Sequence, residues 1–268
     1  MPEFSLDWIA RTTKGQIKSR VYASGKNIGT DTREDLSQKV FIALRGANFD
    51  AHDFVDKAIA QGAHILILDK ENICSENLLE KTSVILVKDT LQALQDMAHS
   101  WRHELAIKVV GITGSNGKTT TKEFAATLLK SKFKVFANPG NFNNHWGLPL
   151  SLLKVEKSEQ IAILEMGMSR RGEITRLCEI ADPDVVLVTM VGSAHIGELG
   201  SQQEIANAKA EIYSGCETCT KIFNLDNEYT ISMYKKFLEQ GGGDHLTFSS
   251  FDKDTTVSLR VEKMAMGS

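Results

Sequence analysis

Long apolar runs are missing from this chain, and with them a membrane span: no stretch approaches the ~20 residues that a spanning helix needs. A basic face is missing too. The 31 lysines and arginines are outweighed by 34 acids, for a net charge of −3, and lie scattered along the chain. Neither a nucleic-acid partner nor a membrane surface is therefore expected. Cysteines number four, at 74, 178, 216 and 219. Cys216-x-x-Cys219 is a lone pair where a zinc site calls for a second one, so zinc is not expected. Reduced thiols in the cytoplasm are the default. The N-terminal Met1-Pro-Glu-Phe-Ser-Leu-Asp7 has no positive region followed by an apolar one, so it does not read as a signal peptide. Repeats and low-complexity linkers are also lacking. What remains is 42% apolar and 24% charged, which suits a chain able to bury a core. The length suits one large or two ordinary domains.

Strands and helices alternate. Strand signals at Lys39–Leu44, Ile65–Leu68 and Ser83–Val87 surround a helical pattern over His52–Gln61 that Gly62 ends. Phe4, Leu6, Trp8 and Ile9 suggest an amphipathic first helix, and Leu91–Trp101 another, with a period of 3.6. A second set follows. Its strands are Ile107–Thr113, Ile161–Glu165, Asp184–Val191 and Lys221–Leu225; its helices are Thr119–Lys130, Glu173–Ile180, Glu204–Ser214 and Glu228–Glu239. The expected fold is α/β: a small N-terminal α/β domain over residues 1–105, then a doubly wound, mainly parallel domain over 106–268. Charge (Arg102-His103-Glu104), not proline or glycine, marks the boundary. After Gly241-Gly-Gly-Asp244, the runs His245–Ser249 and Val257–Glu262 suggest antiparallel strands. The pattern stops at Ser268 in mid-course, which suggests a truncated domain.

The run Val109-Val-Gly-Ile-Thr-Gly-Ser-Asn-Gly-Lys-Thr-Thr120 carries the most chemistry. It reads as a buried strand, a glycine-rich turn and a helix start. Backbone N–H groups and a helix N-terminus then converge on one spot and favour phosphate oxygens. Gly114, Ser115, Asn116, Gly117, Lys118, Thr119 and Thr120 would form that cradle. Lys118 would reach the outer phosphates, and the Thr119 hydroxyl would ligate Mg²⁺. The strict phosphate-loop pattern has glycine where Ile112 stands, so this is a variant, with glycines at 111, 114 and 117. An ordinary glycine-rich turn is the bland alternative. The flanking apolar strand and helical pattern argue against it.

In doubly wound sheets, ligands bind beyond the carboxyl ends of the strands. Glu165 ends an apolar strand there and suits a Mg²⁺ ligand, or else is a solvated acid. His195 lies in a loop after a strand; alone, such a histidine is more often structural. Lys209 shares a helix face with Ile205 and Ile212. An inward lysine is costly unless paired or modified; the alternative is a lysine whose head snorkels to water. Asn143 and Asn144 open a polar-aromatic loop ending in Gly147-Leu-Pro149, which is either a substrate contact or a turn.

Together these motifs resemble the Mur ligases, ATP-dependent amide-forming ligases of peptidoglycan synthesis. Thr113-Gly-Ser-Asn-Gly-Lys-Thr-Thr120 is similar to their ATP loop. Leu164-Glu165-Met-Gly167 with Gly172-Glu173-Ile174 is similar to their Mg²⁺ glutamate segment, and Ala194-His195 with Glu198 and Gly200 to their histidine loop. Ala208-Lys209-Ala-Glu211-Ile-Tyr213 resembles the segment whose lysine is carbamylated in several members. Asn224-Leu-Asp226-Asn227 resembles a strand-end motif near the adenine. In the first domain, Thr30-Asp31-Thr32-Arg33, Val40-Phe-Ile-Ala-Leu-Arg45-Gly46 and Phe49-Asp-Ala-His-Asp-Phe54 resemble a UDP-sugar domain.

The resemblance implies ATP and Mg²⁺ as cofactors, with Lys118, Glu165, His195 and Lys209 catalytic. Thr119, Glu165, His195 and Lys209 would hold metal, and Asn224 would contact the nucleotide. Thr30, Asp31, Arg33, Arg45, Asn143 and Asn144 would contact a UDP-muramoyl-tripeptide. D-alanyl-D-alanine would be the incoming amine, and the enzyme a cytoplasmic monomer. The family's third, C-terminal domain is not expected within this chain, so the chain alone is expected to be inactive. The alternatives are an inactive nucleotide-binding fragment, a tripeptide-forming Mur ligase, a folylpolyglutamate synthetase-like ligase, and a plain phosphate-loop ATPase or kinase.

Overall fold

The computed structural model describes residues 1–46, 48–193, 196–250 and 255–258, with backbone only at 196, 198 and 258. The chain forms two compact units, one of Met1–Ile107 with His145–Gln160, the other of Lys108–Asn144 with Ile161–Ser268. No helix among the described residues is long and apolar enough to cross a membrane.

The first unit is built on a five-stranded sheet in the order Gln16–Ser19, Ser83–Leu86, Ile65–Leu68, Val40–Ile42, Ile28–Gly29. Only the first pair is antiparallel. Ile65–Leu68 is buried at every position, as a parallel strand covered on both faces must be. Leu36, Phe41, Val55, Ala58, Leu66, Leu78 and Val84 form the core on one side. The helix Thr90–Glu104 is started by Asp89, whose side chain accepts from the Gln92 N–H, a standard N-cap. It buries Leu94, Met97, Ala98 and Trp101 and packs against helices Leu6–Thr13 and Gly147–Leu152. The Trp101 indole donates to the Val155 carbonyl at 3.0 Å.

The second unit is a seven-stranded sheet in the order Val135–Ala137, Ile161–Glu165, Lys108–Thr113, Val185–Val188, Thr220–Asn224, His245–Ser249, Val257–Ser258. Every pair is parallel. The four strands expected here from the sequence are present, and so is the mainly parallel architecture. The expected antiparallel tail is not: Phe248 pairs with Val257 in a parallel register. Alternating apolar residues signal a strand but not its direction. Here Thr247 and Thr256 bond reciprocally, each hydroxyl accepting the other's N–H at 3.2 and 3.1 Å, which holds the last strand alongside. The strand expected beyond Ser258 lies outside the described residues. Cys216 and Cys219 are joined as a disulfide, where reduced thiols were expected. The half-buried edge strand Val135–Ala137 was not anticipated, because its apolar run is only three residues long.

Candidate active site

Strand Lys108–Thr113 lies between Ile161–Glu165 and Val185–Val188, all pointing the same way. Three carboxyl ends therefore meet at one edge. The chain leaves the central strand through a turn that only glycine fits. Gly114 has φ +152°, and a Cβ there would lie 1.8 Å from Thr189 Oγ1. Gly117 has φ +80° and caps the helix Lys118–Leu129. The Thr189 hydroxyl donates to the Asn116 carbonyl at 2.6 Å, and the Ser115 N–H to the Met190 carbonyl at 2.9 Å. These bonds pin the loop against its neighbour. The first turn of the helix has N–H groups without helical partners, at the electropositive end of its dipole.

Lys118 folds back over the loop, its ammonium donating to the Gly114 carbonyl at 2.7 Å. Burial lowers its pKa, and the charge of Glu165 partly offsets this. Thr119 donates its hydroxyl to Glu165 Oε2 at 2.8 Å, and Asn143 donates its amide to Glu165 Oε1 at 2.8 Å. Glu165 itself is 3% exposed, so its carboxylate is held at a set angle. Lys209 is buried, as are Ile205 and Ile212 on the same face, which corresponds to the inward alternative. Burial, with the charge of Lys118 second, lowers its pKa to about 8.

These groups suit a nucleotide polyphosphate with Mg²⁺. The glycines leave room for phosphate oxygens to approach backbone N–H groups, and two partly desolvated lysines favour an anion. Among the described residues no three His, Cys, Asp or Glu side chains cluster as a metal site. The hydroxyl–carboxylate pair Thr119–Glu165 is instead the sparse oxygen set that suits Mg²⁺, which keeps several waters and leans on substrate phosphates.

The remaining sequence candidates fall in different places. His195 lies outside the described residues. Thr120 and Asn144 are exposed near the loop and near Asn143 respectively. Asn224 is occupied with the backbone: its amide donates to the Thr189 carbonyl at 2.7 Å and its oxygen accepts from the Asp226 N–H at 2.8 Å. It thus braces the segment that pins the phosphate loop. In the first unit, Arg33 forms a fork on Asp31, with bonds of 2.6 to 3.0 Å, beside the half-buried Thr30. Arg45 pairs with the buried Asp69. His52, fully buried, bridges Asp50 at 2.6 Å and Asp69 at 3.1 Å. Burial raises the Asp50 pKa, but the hydrogen bonds from Lys70 and from His52 hold that carboxyl well below its ordinary range.

Several supporting residues were not anticipated from sequence. Thr189 pins the loop. Glu211, two residues past Lys209, accepts from the Gly172 N–H at 2.7 Å and the Thr175 N–H at 3.3 Å. It thereby caps helix Glu173–Ala181, which follows the Glu165 segment. Its place in the Lys209 motif was the available signal.

A parallel sheet with a glycine loop at its central strand, and a Thr–Glu pair beside that loop, defines a phosphate-loop nucleotide-binding domain. The chain belongs to the Mur ligase family: residues 112–266 match the Mur ligase middle domain, and residues 26–102 match the Mur ligase family catalytic domain. It is 43% identical over 209 residues to the UDP-N-acetylmuramoyl-tripeptide–D-alanyl-D-alanine ligase of Bacillus subtilis, covering 77% of this chain and 45% of the relative. A crystal structure of MurF from Acinetobacter baumannii superposes with a TM-score of 0.87 at 29% identity, over 96% of this chain and 55% of that one. The MurF ligase of Thermotoga maritima in complex with ADP gives 0.72 at 35%, over 85% and 51%. The chain spans about half the length of the curated relatives it matches.

Proposed function

We propose that this chain supplies the UDP-substrate and ATP-binding parts of a ligase that joins D-alanyl-D-alanine to UDP-N-acetylmuramoyl-tripeptide. The observation that carries the reading is Thr119 and Glu165, hydrogen-bonded at 2.8 Å beside the Gly114–Thr120 loop. The 43% identity to the Bacillus subtilis ligase of that name supports the substrate, and the ADP in the Thermotoga maritima structure supports the nucleotide. A folate-type ligase would leave the match over residues 26–102 without a role.

In this reading residues 1–105 bind the UDP-muramoyl-tripeptide, with Thr30, Asp31, Arg33 and Arg45 as contacts, and residues 106–268 bind ATP. The tripeptide's terminal carboxylate oxygen attacks the γ-phosphorus and ADP leaves. The amine of D-alanyl-D-alanine then attacks the acyl carbon; phosphate leaves and the amine loses a proton. Such transfer is mostly positioning and charge neutralisation. Lys118 holds the outer phosphates. Thr119 and Glu165 would hold Mg²⁺, and the ion would supply charge neutralisation for the phosphate oxygens. Asn143 and Asn144 would contact the acceptor. His195 and Lys209 would serve a second metal position. Formation of a carbamate needs a neutral amine, and a pKa lowered to about 8 leaves Lys209 partly neutral near pH 7. The enzyme would work in the cytoplasm as a monomer on small molecules, apart from nucleic acid and membrane.

Calorimetry tests this on the chain itself. UDP-muramoyl-tripeptide and a non-hydrolysable ATP analogue with Mg²⁺ should each bind saturably. UDP alone should compete with the first and ADP with the second. Failure to bind the UDP-peptide would overturn the substrate, and failure to bind the analogue would overturn the phosphate-loop assignment.

A further inference from the structure

Lys122 is a buried lysine that the mechanism above does not use. It lies one helical turn past Lys118, is 0% exposed, and donates to the Asn138 carbonyl at 2.6 Å. It also pairs with the exposed Glu123, at 3.3 Å. A buried cation is costly unless fully hydrogen-bonded, so its burial one turn past the phosphate loop calls for an explanation.

Asn138 supplies one. It is 1% exposed, and its side chain grips both the metal-site glutamate and the loop that steadies it. Asn138 Oδ1 accepts from the Glu165 N–H at 2.8 Å. Its Nδ2 donates to the Phe142 carbonyl at 2.8 Å and to the Glu165 carbonyl at 3.4 Å. Asn143, the next residue after Phe142, donates to Glu165 Oε1. The contacts close a ring: Thr119 and Lys122 on one helix, Asn138 and Asn143 on one loop, and Glu165 where both meet.

We propose that Lys122 and Asn138 are positioning residues for the metal site, forming a buried brace that sets the Glu165 carboxylate against the Thr119 hydroxyl. The proposal rests on the reading of Glu165 as a Mg²⁺ ligand. A carboxylate ligand works at a set angle and distance, and partners behind a ligand hold it there. Lys122 fastens the Asn138 backbone to the phosphate-loop helix, so the phosphate cradle and the metal carboxylate move as one piece.

The test is Mg²⁺ titration of a non-hydrolysable ATP analogue, followed by calorimetry, with the chain of residues 1–268. Lys122→Met and Asn138→Ser should raise the Mg²⁺ concentration for half-maximal enhancement of binding by roughly tenfold or more, the scale of losing a partner behind a metal ligand. Mg²⁺-free binding of the analogue should stay unchanged. Lys122→Arg, which keeps a donor, should recover part of the loss. Glu165→Gln should abolish the enhancement. A merely structural role would shift the melting temperature and leave the Mg²⁺ requirement of the folded protein alone. Where Lys122→Met does not fold, Asn138→Ser decides. An unaltered Mg²⁺ requirement in the folded variants, beside a lost enhancement in Glu165→Gln, overturns the brace. A retained enhancement in Glu165→Gln overturns the metal assignment instead, and the purpose of the brace with it.

Discussion

Lys209 is 2% exposed, and its pKa falls from 10.5 to about 8, through burial first and the charge of Lys118 second. Its protonated form is therefore less favourable in the folded chain than in the unfolded one. Between about pH 8 and 10.5 the unfolded state binds more protons, so stability rises with pH there. Below about pH 8 the penalty is full and constant. At about 1.4 kcal/mol for each pH unit between the two values, it amounts to about 3 kcal/mol. Lys209→Met should thus be more stable than the parent at pH 7 in bicarbonate-free buffer, by up to that amount. The gain should shrink as pH rises from 8 to 10.5. Urea denaturation at several pH values checks this; an equal or less stable variant at pH 7 would show that the ammonium is satisfied where it lies.

Among the elements, the phosphate loop has a backbone that leaves no choice of residue at Gly114. Gly114→Ala would place a Cβ 1.8 Å from Thr189 Oγ1 at φ +152°. The strained backbone alone costs about 1–3 kcal/mol, and the displaced Thr189 would release the Asn116 carbonyl it holds. The expected outcome is a lower urea midpoint together with weaker binding of the ATP analogue. Full affinity in that variant would mean the loop need not take this path. The element itself was legible because glycine spacing, a preceding apolar run and Lys-Thr-Thr are local signals. Its pinning by Thr189 was not, because Thr189 follows another strand and lies 73 residues from Asn116. The same holds for the tail strand. Alternation marked it, but its parallel direction appears only in the pairing of Phe248 with Val257, beside the Thr247–Thr256 bonds.

At the scale of the whole molecule, the first unit takes in a segment from far along the chain. Helix Gly147–Leu152 packs against one face of Thr90–Glu104, and Val155 accepts the Trp101 indole N–H. A piece cut at residue 107 should therefore expose that face, bind a hydrophobic dye and aggregate. A piece carrying 145–160 on a flexible linker should be monomeric and more stable by several kcal/mol, given about 25 cal/mol for each Å² of apolar surface covered. Equal stability of the two pieces, by urea denaturation and light scattering, would show that the helix contributes little there.

Local order in the sequence determined the alternating strands and helices, the glycine loop with Lys118 and Thr119, the acid at the end of a buried strand, and a lysine at 209 sharing a helix face with Ile205 and Ile212. Each is written in spacing over a few residues, where steric limits and helical or strand periods act directly. Tertiary structure decided which distant groups share a site. Asn143 and Thr119 meet on Glu165 from 22 and 46 residues away, and Lys122 reaches Asn138 across a helix–loop contact. It also decided that residues 145–160 pack with the first unit. Such pairings follow from how buried faces are matched once the sheets form, and no local period records them.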